Sequence, residues 1–466
     1  MKFLNNLEKY NSNICLIDKN EKIITYKNLL DSSEIISKNL KSRSLIFVLS
    51  SNHVEFIKSY VGFLKKGLVQ VLLDAEINKD LLKALISQYS PDYIFLPNSK
   101  LAGIKNLKVI SSLSEHTILK FNDKKNYTLN DDLAILLSTS GSTGSNKLVK
   151  ISYENLIDNT QNIISFLKID STHRAITTMP PSYTYGLSII HTHLFCGASI
   201  VVNTLTVMEK NFWSLMNRTK VTSFGGVPFF YEMLQKLNFS KMSFPSLKYF
   251  TQAGGHLKKE VADYFFKYAL SDKKLFFVMY GQVEATSRIS YMLVKAGNKD
   301  KIGSIGKSIP GGNIKLKSNK SEDDVEGEVI YSGKNVTMGY SKNFRDLELE
   351  DENKGILKTG DMGKKDKDGY FYITGRKIRD IKIYGHRINL DEIEQILDKN
   401  FFKCFCVGSA DLIKIFYSNQ NYDISKIINL LSKLTNINKK AFEVKFIKQI
   451  PLNQNGKISY NELMAL

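Results

Sequence analysis

A chain of 466 residues is too long to fold around one hydrophobic core and is expected to carry two or more domains. Its 43% hydrophobic and 24% charged content is that of an ordinary globular enzyme, and no apolar run is long enough to cross a bilayer. The net charge of +19 is not gathered in a nucleic-acid arm: the stretch from Arg376 onward holds 15 Lys and Arg against 9 Asp and Glu, leaving +13 for the rest, and no block of five like charges stands out.

The opening Met1-Lys2-Phe3-Leu4-Asn5-Asn6 turns polar at once, which predicts no signal peptide and a cytoplasmic location. A helical pattern runs from 26 to about 40, a buried strand over 45–49, and a second helix from 53 toward 64. Further apolar strands over 69–73, 93–96, 175–178, 199–202 and 275–279 alternate with helical stretches, the signature of an α/β architecture. After residue 300 short strands and turns predict an antiparallel β section, and from about 378 a new α/β pattern predicts a small terminal domain. Cys15, Cys196, Cys404 and Cys406 are too few and too scattered for a disulfide framework or a zinc site. The pair His191 and His193 lacks a third ligand at suggestive spacing, which favours packing or a pocket contact over metal.

The richest stretch is Ser138-Thr139-Ser140-Gly141-Ser142-Thr143-Gly144-Ser145-Asn146-Lys147, set between the apolar run 133–137 and a second strand over 147–151. Glycines, hydroxyls and a lysine in this order can close a loop whose N–H groups converge on phosphate oxygens. A polar hairpin loop is the alternative. The spacing is not that of a Walker loop, and the segment joins two strands rather than opening a helix. Glu284, in Tyr280-Gly281-Gln282-Val283-Glu284, follows an apolar strand, where open α/β sheets bind ligands, and a lone carboxylate there suits Mg²⁺. Asp361, in Thr359-Gly360-Asp361, suits ribose hydroxyls, and Arg376 a phosphate or acyl oxygen. Lys457 follows a turn-forming stretch and can neutralise charge on a carboxylate and a phosphate as they react.

In this order the motifs resemble the adenylate-forming superfamily of acyl-CoA synthetases, peptide-synthetase adenylation domains and luciferases, over nearly the whole chain. The resemblance implies an α/β fold: a large domain, 1–377, of two α/β subdomains plus a small β section, and a small mobile α+β domain, 378–466, carrying the catalytic lysine. It implies ATP binding by Thr139, Ser140, Gly141, Ser142, Thr143, Gly144 and Lys147, with Gly255 and His256 lining adenine. Tyr280, Gly281 and Gln282 would contact the nucleotide, Glu284 would hold Mg²⁺, and Asp361 the ribose. Lys457, Arg376 and Glu284 are the implied catalytic set. Tyr183, Tyr185, Gly225, Gly226, Val227 and Gly254 are candidate walls of the acid pocket. Lys382 and Gly385 belong to the segment implied to face the thiol acceptor.

The implied reaction is AMP-forming: a carboxylic acid and Mg²⁺-ATP give an acyl-adenylate, then an acyl thioester with coenzyme A or the phosphopantetheine of a carrier protein. The chain departs from the family pattern at Val283, where threonine is usual, at Asn146 and Leu148 in the loop, at Ile378 in the hinge, and at Tyr183, where many acyl-CoA synthetases have histidine. Thr184 stands where peptide-synthetase domains hold an α-amino group with aspartate, which favours a fatty or other small organic acid. An amino-acid-activating enzyme feeding a carrier protein or amide formation, and a catalytically impaired nucleotide-binding protein, are the alternatives. An ADP-forming kinase is disfavoured by the absent Walker loop.

Overall fold

A computed structural model describes the chain except for residues 1–3, 5, 102–106, 123–124, 139–146, 318–325, 377–379, 401, 410, 419–421 and 452–459. The described residues form two compact units, one built up to Ser138 and over Leu148–Gly375, the other over Arg376–Leu466.

Two large mixed sheets organise the first unit. One runs in the order Lys307–Ser308, Ser290–Val294, Leu275–Tyr280, Tyr249–Gln252, Ser223–Gly226, Arg174–Ile176, Ser199–Val201, Ile14–Ile17, Ile23–Thr25. Its centre is parallel, with Gly225 opposite Thr251 and Gln252 opposite Val278. The other sheet is centred on Leu45–Ser50 and Val69–Asp74, whose near-complete burial explains why they read as unbroken apolar runs: helices and loops cover parallel strands on both faces. At one side of it Leu133–Ser138 and Leu148–Ser152 pair antiparallel, with Ser138 opposite Leu148. The strand–loop–strand setting expected for the Ser/Gly/Thr segment is therefore present, while residues 139–146 lie outside the described residues.

Helices Tyr26–Ser37, Val54–Lys66 and Thr184–Phe195 share a buried core with both sheets, through residues such as Leu29, Tyr60, Ile135, Leu187 and Ile200. A second core is aromatic: Phe224, Tyr231, Phe250, Phe265 and Phe276 interlock, with centroids 4.8 Å apart for Tyr231–Phe265 and 4.9 Å for Phe250–Phe276. The antiparallel section expected after residue 300 is a four-stranded sheet of Asn313–Lys317, Glu326–Ser332, Ile356–Lys365 and Phe371–Arg376. Alternation along Ile356–Lys365 turns Leu357, Thr359 and Asp361 inward, which buries the Asp361 carboxylate.

The second unit is α+β. Strands Asp380–Ile383 and His386–Asn389 form a hairpin whose turn residues Tyr384 and Gly385 have φ of 48° and 87°, the backbone of a tight two-residue turn. Strands Phe405–Ser409, Leu412–Tyr417 and Phe442–Phe446 pack with helices Leu390–Lys399 and Ile424–Thr435 around Ile393, Leu397, Ile413, Ile415 and Leu431. Cys404 and Cys406 are buried in this core, and burial pushes the Cys404 thiol up to about 12. Among the described residues no helix is long and apolar enough to cross a membrane.

Candidate active site

Parallel strands release their following segments at one edge of a sheet, and that edge is where α/β sheets bind ligands. Here Ser223–Gly226, Tyr249–Gln252 and Leu275–Tyr280 deliver Val227, Ala253 to His256, and Gly281 to Glu284 to the same edge. Gly281 is required by space: a Cβ on it would lie 2.0 Å from the Ser287 carbonyl oxygen. The Tyr280 hydroxyl donates to Asp361 Oδ2, so two sequence-predicted nucleotide residues, 81 positions apart, meet directly.

Glu284 sits in the short turn Val283–Ala285 and is 8% exposed. Its Oε1 accepts a 2.7 Å bond from the Tyr340 hydroxyl, while its buried Oε2 has no hydrogen-bond partner among the described residues. Gln282 Nε2 and Gln252 Oε1 are also buried without partners, although Gln252 Nε2 donates to the Gly255 carbonyl at 3.0 Å. An unmet buried polar group costs about 1–3 kcal/mol, and an unpaired charge more. Two open amide valences and an open carboxylate oxygen at one strand edge fit a polar ligand with a bound cation. Val283, in place of the family's threonine, packs against the apolar core.

Tyr340 was not singled out by the sequence. It lies 56 residues beyond Glu284, and an isolated tyrosine after glycine carries no motif. His256 is exposed beside half-buried Gly254 and Gly255. Lys147 is half-buried at the head of the strand Leu148–Ser152. Thr139 to Gly144, Asn146, Ile378 and Lys457 lie outside the described residues, as does the side chain of Arg376, whose backbone ends the strand Phe371–Arg376. Lys382 and Gly385 sit in the hairpin of the second unit.

A second group of predicted residues gathers next to the first. A Cβ on Gly254, whose φ is +86°, would lie 2.5 Å from Tyr183 Oη and 3.1 Å from Val227 Cγ1. One on Gly225 would lie 2.7 Å from Tyr185 Oη and 3.0 Å from Thr251 Oγ1. Tyr183, Tyr185, Gly225, Val227 and Gly254 therefore share one face. Gly226 departs from the expected pocket: successive strand residues face opposite ways, and its side-chain direction meets Phe230 at 2.4 Å, against the aromatic core.

Two residues of this region carry chemistry that sequence spacing did not reveal. Arg288 is 3% exposed, with its guanidinium 4.1 Å over the Tyr185 ring. Nη1 donates to the Ser287 carbonyl at 3.0 Å and the Ser287 hydroxyl at 2.7 Å, and Nε meets Met279 Sδ at 3.4 Å. No carboxylate pairs with it among the described residues. Burial lowers its pKa and the neighbouring Tyr185 opposes that shift, but a guanidinium stays charged. A desolvated cation–π contact is worth about 2 kcal/mol, less than the several kcal/mol needed to bury the charge.

His193 Nδ1 contacts the Ile189 carbonyl at 2.9 Å; because a carbonyl only accepts, Nδ1 carries the proton and Nε2 the lone pair. That Nε2 is buried without a partner, and burial drops the ring's pKa to about 4, so it is neutral at pH 7. His191 turns elsewhere, with Nε2 2.7 Å from the Tyr60 hydroxyl and its pKa pushed by burial to about 3. The two histidines thus have separate packing partners.

A family model described as AMP-binding enzyme matches residues 3–341. A D-alanine–D-alanyl carrier protein ligase of Staphylococcus haemolyticus (strain JCSC1435) is 24% identical over 478 residues, covering 94% of this chain and 93% of the relative. Among solved structures, the o-succinylbenzoate CoA synthetase MenE of Bacillus subtilis, bound with a product analogue, superposes with a TM-score of 0.81 at 19% identity, covering 99% of this chain and 98% of that one. The same synthetase in complex with ATP and magnesium ion gives 0.67 at 18% identity, with 98% of each chain covered.

Proposed function

The chain belongs to the AMP-binding enzyme family and is an AMP-forming acid–thiol ligase, and on that premise we propose the roles of its residues. A carboxylate oxygen of the acid attacks the α-phosphorus of ATP, pyrophosphate leaves, and the acyl-adenylate remains. The acyl carbon is then attacked by a thiol, releasing AMP.

The observation that carries this assignment is the edge formed by Tyr280, Asp361 and Glu284. Tyr280 donates to the Asp361 carboxylate, which would meet the ribose hydroxyls, and Glu284 offers an open buried oxygen four residues after Tyr280. Glu284 would hold Mg²⁺, which neutralises phosphate charge and orients the chain of phosphates. Tyr340 fixes the carboxylate's rotamer through Oε1. Residues Thr139 to Gly144 with Lys147 would cradle the β- and γ-phosphates, and Gly255 and His256 would flank adenine. Arg376 and Lys457 would offset charge that grows in the adenylation transition state. The domain 378–466 would then turn, withdrawing Lys457 and presenting Lys382 and Gly385 to the thiol.

The relative is named for a carrier protein and the solved synthetase for coenzyme A, so both supply the same acceptor chemistry, a phosphopantetheine thiol. The excess of positive charge, +19, suits either anionic acceptor. A cytoplasmic setting follows from ATP and a reduced thiol. Thr184 offers no carboxylate to an α-amino group, which supports an organic acid over the D-alanine in the relative's name. The test is carboxylate-dependent ATP–pyrophosphate exchange over an acid panel, followed by thioester formation with coenzyme A and with a phosphopantetheinylated carrier protein. Exchange with a subset of acids supports the assignment. ATP binding with no exchange for any acid would mark an impaired nucleotide-binding protein instead.

A further inference from the structure

Thr286, two residues beyond Glu284, has φ of 60° and ψ of −53°. It is the one β-branched residue with positive φ among the described residues, and a branched Cβ crowds the backbone there. The Ser287 N–H donates to the Ala285 carbonyl at 2.6 Å, which closes a three-residue turn around Thr286 of the rare, strained kind. The connection from Gly281 to Ile289 joins the antiparallel strands Leu275–Tyr280 and Ser290–Val294, and it is long enough to reverse without such a residue. Strain of this sort persists only where the surroundings hold it.

The holder is Asn335, fully buried in the segment between the strands Glu326–Ser332 and Tyr340–Ser341. Its Nδ2 donates to the Ala285 carbonyl at 2.9 Å and to the Arg288 carbonyl at 2.8 Å, on either side of Thr286. Its backbone carbonyl accepts from the Thr286 hydroxyl at 2.7 Å. The Tyr331 hydroxyl donates to Asn335 Oδ1 at 2.7 Å, and because two carbonyls can only accept, these partners fix which way the amide points. Asn155, on the helix Tyr153–Leu167, donates to the carbonyls of Lys334 and Val336 at 2.7 and 2.8 Å, so the segment is braced on both sides of Asn335.

Two further contacts tie this clamp to the carboxylate. The Thr337 N–H donates to the Glu284 carbonyl at 3.0 Å, and the Tyr340 hydroxyl, three residues on, holds Glu284 Oε1. Relaxing Thr286 would swing the adjoining peptides and with them the direction of the open Glu284 Oε2. We propose that Asn335 is a positioning residue for the reaction: it holds Thr286 in the strained turn and so aims the Glu284 carboxylate at its cation. This inference rests on the Mg²⁺-holding role proposed above for Glu284. Asn335 makes and breaks no covalent bond.

The experiment reads two quantities. One is the Mg²⁺ concentration that gives half-maximal ATP–pyrophosphate exchange. The other is the Mn²⁺ affinity of the protein with α,β-methylene-ATP, followed by electron paramagnetic resonance with no acid present. Asn335→Ala and Thr286→Val each break the clamp and keep a branched residue at 286. Each should raise the Mg²⁺ requirement and weaken Mn²⁺ binding about 10-fold, the usual result of removing a partner that orients a metal ligand. Thr286→Gly also loses the hydroxyl bond, but glycine adopts the turn without strain, so both quantities should stay near wild type. Adding Asn335→Ala to Thr286→Gly should then cost far less than Asn335→Ala alone. Unaltered metal dependence in Asn335→Ala or in Thr286→Val overturns the proposal, as does a Thr286→Gly variant as impaired as Thr286→Val. Glu284→Ala separates this failure from that of the premise. A shift in Glu284→Ala with none in the clamp variants removes the clamp alone, whereas no shift in any of them removes Glu284 from the cation as well. Half-saturation reads only folded molecules, and Thr286→Val, close to threonine in volume, keeps the test open if Asn335→Ala fails to fold.

Discussion

The two halves of the site differ in how they handle buried polarity. The nucleotide edge leaves several groups open at once: Gln252 Oε1, Gln282 Nε2 and Glu284 Oε2. The cavity behind the expected acid-pocket wall closes most of its polar groups internally, and His193 Nε2 is the buried atom there left without a partner among the described residues. An edge with many open valences suits a large ligand of fixed chemistry, since ATP never varies. A wall whose polar groups are mostly met internally suits discrimination among small ligands, because each unmet valence penalises a wrong one. On the proposed roles, generic and selective binding would be built side by side on neighbouring strands.

Variants can break this contrast, and the largest effect is expected outside it. Lys457→Ala should slow pyrophosphate exchange by more than about 100-fold, the usual consequence of removing a group aimed at transition-state charge. Exchange that survives intact removes Lys457 from the mechanism. On the nucleotide edge, Glu284→Ala should lower exchange by roughly 100-fold, eased by raised Mg²⁺, because a metal supplies several kcal/mol of charge stabilisation. Tyr340→Phe frees the carboxylate from its 2.7 Å anchor, and about a 10-fold loss with a higher Mg²⁺ requirement is expected. An unaltered Mg²⁺ dependence in both would detach Glu284 from the cation.

The acid side should respond through a different parameter. Gly225→Ala puts a Cβ 2.7 Å from Tyr185 Oη, and overpacking of this kind costs about 1–3 kcal/mol, so the acid's KM should rise about 10-fold while ATP's stays put. A rise in ATP's KM instead would erase the distinction between the two halves.

The smallest expected effect concerns stability. Burial drops His116 and His193 to about 4 and His191 to about 3, from an ordinary 6.5. Below pH 6.5 the unfolded chain takes up protons that the fold refuses until about pH 4, so stability should fall as pH drops through that window. His116 stacks on Phe95 at 4.8 Å, and neither ring nitrogen has a hydrogen-bond partner among the described residues. His116→Phe keeps the stack and removes one proton site, so at pH 5 the variant should be about 1–2 kcal/mol more stable relative to its pH 7 value than wild type, read from urea midpoints at both pH values. A parallel pH profile would mean the imidazole is not held neutral.

Local pattern made much of this legible. Buried parallel strands announce themselves as apolar runs, which located Leu275–Tyr280 and the residues after it, and the antiparallel pair around the Ser/Gly/Thr loop followed from two apolar segments. The pairing of Tyr280 with Asp361 was foreshadowed only by the order of motifs. What stayed hidden depends on the direction of single side chains. Arg288 belongs to no sequence motif, and only the fold lays it over Tyr185, 103 residues earlier. Gly226 reads as an equal of Gly225 until the pleat sends them to opposite faces. His191 and His193 read as a pair, but two residues on a helix are about 200° apart, and each found its own partner.

The central claim is that a carboxylate oxygen attacks the α-phosphorus of ATP. Acid labelled with ¹⁸O in its carboxylate, turned over with ATP, Mg²⁺ and a thiol, tests it directly by mass spectrometry of the products. The account predicts one ¹⁸O in AMP, because the attacking oxygen stays on phosphorus when the thiol takes the acyl group. Label in inorganic phosphate with ADP as the nucleotide product would contradict it.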